Sequence, residues 1–150
     1  MQRRQWIAVS ALVFIGACGD SGATAANRIG GRTMSATVDG TAWSTTTLAG
    51  SLINGLVSIA GASGTQTIAI TFAATSGAQP IAQSSVVAGS LTIGTLNWAA
   101  GPGTGTGTVT VTTATDNHFV GTFSFTAQAL VSGTTPATRQ VTAGTFDVTF

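Results

Sequence analysis

The chain has 150 residues, of which 6% are charged, and its formal net charge of +1 comes from five arginines set against four aspartates, with neither lysine nor glutamate present. Five scattered arginines make no basic stripe to pair with phosphates, which excludes nucleic acid as a partner. A single cysteine excludes an internal disulfide, and the length suits one domain after a short leader.

Arg3 and Arg4 open the chain, an apolar run follows from Trp6 to Ile15, and the small residues Gly16 and Ala17 stand directly before Cys18. A positive start, a short apolar stretch and small residues at the cut are the parts of a secretory leader in their required order. The run is too short for a spanning helix, which needs about 20 apolar residues. Ile15-Gly16-Ala17-Cys18 resembles the lipobox of bacterial lipoprotein precursors. That resemblance implies cleavage after Ala17, diacylglycerol on the Cys18 sulfur and acylation of the new amino terminus. In such proteins Gly rather than Asp after the cysteine goes with outer-membrane sorting, and here Gly19 follows. Two or three acyl chains hold far more firmly than one, because each buried methylene contributes about 0.8 kcal/mol. The expectation is a 1–17 leader, a lipidated Cys18 and a protein that stays on membrane lipid.

Residues 19–32 carry no apolar period and read as a flexible tether, spanning about 20 Å if coiled. Without the leader, three arginines face four aspartates, a net charge of −1. From Thr33 to Phe150 the texture is β throughout, with Thr, Val, Ile and Phe alternating between recurrent turn residues. Asp39-Gly40 separates 34–38 from 41–47, and Asn54-Gly55 separates 51–53 from 56–60. Both dipeptides tolerate the positive φ values of a type I′ hairpin turn.

Further along, Ile68, Ile70 and Phe72 share one face of a strand opposite Thr67, Ala69 and Thr71. Between Ser90 and Ala100 the apolar parity changes from Leu91 and Ile93 to Leu96 and Trp98, which predicts a bulge at Gly94. Gly101 to Gly107 reads as a loop, and Val109 and Val111 then alternate with Thr108, Thr110 and Thr112. Phe119, Phe123, Phe125, Ala127 and Ala129 fall on one face of the next strand. The last strand sets Phe146, Val148 and Phe150 against Thr145, Asp147 and Thr149. These phenylalanines are the best core candidates, and the closing Phe150 predicts a paired C-terminal strand.

The runs Met34–Ser44, Val120–Ala127 and Val141–Val148, with their Val-Asp-Gly-Thr-Ala-Trp opening and two Gly-Thr-Phe closing strands, resemble small bacterial lipoproteins classed only as a domain of unknown function. The resemblance implies an all-β, envelope-exposed domain and carries no catalytic residue. Pattern and resemblance together predict a single antiparallel β-domain over 33–150 with about eight or nine strands, a two-sheet β-sandwich in preference to a partly open or closed β-barrel.

Candidate chemistry is thin. Gly101-Pro-Gly-Thr-Gly-Thr-Gly107 lacks the lysine and following helix of a phosphate loop. Asp116-Asn117-His118 puts the only histidine beside an acid, but no further His, Cys or Glu completes a metal shell, and Asp and Asn are ordinary turn formers. Nothing in the spacing of Asp39, Asp116 and Asp147 gathers calcium ligands. Gly61-Ala-Ser-Gly64 is not a nucleophile elbow. No metal, cofactor or enzymatic activity is therefore expected. Trp43 and Trp98 are the candidate ligand platform, since an exposed indole beside polar loops can stack on a sugar, although tryptophans are more often core residues. The expected function is a lipid-anchored, non-catalytic module of the bacterial cell envelope, at the outer membrane, that supports structure or binds an envelope protein. The alternative is a module binding carbohydrate or another small ligand.

Overall fold

The computed structural model describes residues 32–83 and 85–150. The expected leader, Cys18 and the expected tether up to residue 31 lie outside the described residues. Eleven strands follow in order: β1 (Thr33–Val38), β2 (Thr41–Thr45), β3 (Leu48–Ile53), β4 (Leu56–Ser63), β5 (Gln66–Ala73), β6 (Gly77–Pro80), β7 (Ala88–Ile93), β8 (Leu96–Ala100), β9 (Gly105–Ala114), β10 (His118–Ala129) and β11 (Thr138–Thr149).

The local turn chemistry explains the hairpins. Asp39 and Gly40 take φ of 47° and 85°, and Asn54 and Gly55 take 51° and 76°, so both expected dipeptides adopt the paired positive values of a type I′ turn. Gly94 is not the bulge its parity suggested. It is the first residue of a two-residue turn, at φ 61°, between Ile93 and its partner Leu96. A turn resets the alternation as a bulge would, because the strand after it is a new one. The Gly101–Gly107 loop is likewise shorter than expected, since Gly105 already begins β9. β6 was not anticipated; it has no branched or aromatic side chain and ends on Pro80, and it is held through Gln79, whose amide accepts from the N–H of Ala73 and donates to its carbonyl.

All pairings are antiparallel, and nine strands form one path in the order β2-β1-β11-β10-β8-β7-β5-β4-β3. β10 is the branch point: Phe119 to Ala127 pair with β9, whereas Gln128 and Ala129 pair with β8. β9 in turn carries β6. The ends of the nine-strand path, β2 and β3, are neighbours in the chain, so the corner between them draws the ends together. There Thr45 Oγ1 donates to the Ala62 carbonyl at 2.5 Å and the Ala62 N–H donates to the Thr47 carbonyl at 3.1 Å. The all-β antiparallel class is as expected. The nine-strand sheet is nearly closed into a barrel, the second of the two arrangements the pattern allowed, and the strands number eleven.

The barrel is filled from both halves. Phe72 of β5 lies 5.0 Å from Phe146 of β11 and 6.3 Å from Phe119 of β10, centroid to centroid, and Phe123 stands 6.5 Å from Phe146. On β10 the positions Phe119, Phe123, Phe125 and Ala127 are all buried, as the period of two requires. Val141 is buried on an odd position of β11 while Phe146 and Val148 are buried on even ones. A bulge at Ala143, where Phe123 pairs with Gly144 but Phe125 with Val141, accounts for the change. Ala143 sits there at φ 49°. Burying each of these phenylalanines contributes about 1.5–3 kcal/mol.

Candidate functional site

Among the described residues, Asp39 with Arg139 and His118 with Asp147 form charged contacts that tie segments of the barrel together. The β1–β2 turn brings Asp39 to the start of β11, where Arg139 Nη1 donates to Asp39 Oδ2 at 2.6 Å and the Gln140 N–H donates to Oδ1 at 2.8 Å. Partial burial pushes the Asp39 carboxyl upward in pKa, but the hydrogen bonds from Arg139 and Gln140, with the arginine's charge, outweigh it and hold the group below its ordinary value. The Arg139 guanidinium also lies 4.9 Å over the ring of Trp98, in range for a cation–π contact. Trp98 is fully buried, and its Nε1 donates to the Pro136 carbonyl at 2.9 Å.

The second cluster joins β10 to β11. His118 Nε2 is 2.9 Å from Asp147 Oδ1, so the acid paired with the histidine is 29 residues away in sequence rather than the adjacent Asp116. The sequence 115–117 is the turn expected of it: His118 donates its N–H to Thr115 Oγ1 at 3.0 Å, and Thr115 donates its own N–H back to the His118 carbonyl. Both side chains are partly exposed, 39% for His118 and 50% for Asp147, so solvent screens the pair. Among the described residues no three His, Cys, Asp or Glu side chains converge.

Neither tryptophan of the expected platform is exposed. Trp98 lies in the core beneath Arg139, and Trp43 is only 7% exposed. Each has its face covered, because inward alternation on β8 and β2 puts both indoles inside the barrel. Trp43 differs in one respect: its Nε1 is buried and meets no acceptor among the described residues. The ring reaches across to β4, where a methyl group added at Gly61 would stand 3.0 Å from its Cη2.

At the seam where the barrel fails to close lies a groove of about 560 Å³, whose lining does not include Trp43. Thr33 and Ser35 of β1, Ser44 to Thr47 at the β2–β3 corner, and Ala62 to Gly64 at the end of β4 surround Met34. Most of these side chains end in hydroxyls and none is charged. Two smaller troughs of about 360 Å³ each run along the outer face of β9, β10 and β11, again among threonines and sharing Ser124. The groove had no signature in the sequence, since its walls come from three separate segments that meet only when the barrel curls.

A profile described as a domain of unknown function, DUF6252, matches residues 32–148. The chain belongs to the DUF6252 family. The match covers nearly all of the barrel, from the residue before β1 to the penultimate residue of β11. No curated protein and no solved structure matches this DUF6252 chain. The family brings no assigned reaction, so the DUF6252 barrel has to be read from its own surfaces.

Proposed function

We propose that this DUF6252 chain is a lipid-anchored lipoprotein of the bacterial cell envelope, held at the outer membrane through acylated Cys18, and that its barrel is a non-catalytic structural or protein-interaction module. The observation that carries the interaction reading is the edge strand β3. It pairs with β4 alone, and its six residues, Leu-Ala-Gly-Ser-Leu-Ile, include no charge and no proline. Natural edge strands usually carry such blocking residues, and an edge without them is suited to accept a strand from a partner. Ile53 at its end is 48% exposed. Asp39 with Arg139 and His118 with Asp147 tie separate segments of the barrel together, a structural use that fits the non-catalytic reading.

Two measurements test the two halves. Cys18→Ala should release the protein from sedimenting membranes while the barrel stays folded, and unchanged sedimentation would remove the anchor. Crosslinking in the intact envelope should capture a protein partner that Ser51→Lys, a charge set on the β3 edge, abolishes. Crosslinks indifferent to that substitution would remove β3 as the docking edge.

A further inference from the structure

We propose that the seam groove between β1–β2 and the end of β4 is a binding site for a neutral saccharide. The volume of about 560 Å³ falls inside the roughly 300–1,000 Å³ range of small-molecule clefts. Its polar rim is made of serine and threonine hydroxyls, with Ser44, Thr46 and Thr47 exposed. A hydroxyl both donates and accepts, as each sugar hydroxyl does, so the two sets can pair in either sense. No lining residue is charged, which favours an uncharged ligand, since an ion would enter without a counter-charge to offset its desolvation.

Trp43 directly precedes Ser44 and Thr45 of the lining in β2, and its ring reaches Gly61, the neighbour of Ala62, so its emission reports on the groove. An added peptide strand is the weaker occupant. The Thr45 and Ala62 hydrogen bonds already lace β4 to the corner after β2, leaving a pocket rather than a slot open along a strand edge.

The saccharide site needs neither an acyl anchor nor a protein partner, so its test is independent of the sedimentation and crosslinking experiments. The full chain, with its leader processed by the host, is purified in a polyoxyethylene detergent that carries no sugar. It is titrated separately with cellobiose, maltose and N,N′-diacetylchitobiose, followed by calorimetry and tryptophan emission. At least one disaccharide should bind saturably, with a dissociation constant on the order of 1 mM. Thr46→Val removes an exposed hydroxyl at nearly constant shape and should weaken binding at least fivefold, with the urea midpoint unchanged. Trp43→Phe should abolish the emission change. Absence of saturable binding by all three sugars up to roughly 100 mM overturns the assignment. So does sugar binding indifferent to both Thr46→Val and Ser44→Ala, or tighter binding of a neutral Thr-Ala hexapeptide than of any sugar.

Discussion

Replacing Phe146 by alanine removes the ring on which the two halves of the barrel meet. Phe146 is 2% exposed and stands 5.0 Å from Phe72 across the interior and 6.5 Å from Phe123. Gly121, its direct partner on β10, has no side chain to swing into the space. The cost combines lost transfer free energy with a cavity that cannot collapse, which for buried Phe→Ala is about 3–5 kcal/mol. Against a total stability of about 5–15 kcal/mol, that is about a fifth of the margin or more. With a urea slope of about 1–3 kcal/mol per molar, the midpoint should fall by about 2 M. Equilibrium urea unfolding of the soluble fragment 33–150 measures it, with Phe146→Leu as the partner variant expected to lose less than half as much. A loss below about 1 kcal/mol for the alanine variant, at unchanged slope, would refute the packing argument.

The depressed pKa of Asp39 means that its ion pair adds stability above the ordinary carboxylate value and loses it as the pH falls through the lowered one. Because Asp39 and Arg139 are a third and a quarter exposed, the effect should stay below about 1 kcal/mol. Asp39→Asn, which keeps the turn, should flatten the decline in urea midpoint below about pH 4. Ala143 holds a left-handed conformation at φ 49° on the surface, so Ala143→Gly should raise stability by about 0.5–1 kcal/mol, read as a higher midpoint. At Gly89 a methyl group would stand 2.7 Å from the Phe125 ring, and Gly89→Ala should cost about 1–3 kcal/mol through overpacking. Acrylamide should quench neither Trp43 nor Trp98 in the folded fragment 33–150, and free quenching of either would contradict their burial.

How much of this was legible in the sequence follows from the range over which each interaction acts. Type I′ turns depend on two adjacent residues, so Asp39-Gly40 and Asn54-Gly55 could be placed without any knowledge of the fold. Strand faces depend on alternation over a few residues, so the buried side of β5, β10 and the end of β11 was equally readable. Where a longer context was needed the reading slipped. At Gly94 parity alone does not separate one kinked strand from two strands joined by a turn.

β6 escaped notice because its pairing with β9 comes from a partner strand and a glutamine side chain, not from its own composition. The His118–Asp147 pair and the Asp39–Arg139–Trp98 stack join residues far apart in sequence, and no local pattern announces them. Alternation says which side of a strand is wet, whereas closure of a sheet depends on twist accumulated over nine strands and on the corner at Thr46 and Thr47. Local physics in the sequence thus determined the β class, the hairpins and the apolar faces. Only the tertiary structure decided that the sheet curls into a barrel, that both tryptophans lie inside it, and that hydroxyls from three distant segments meet in one groove at its seam.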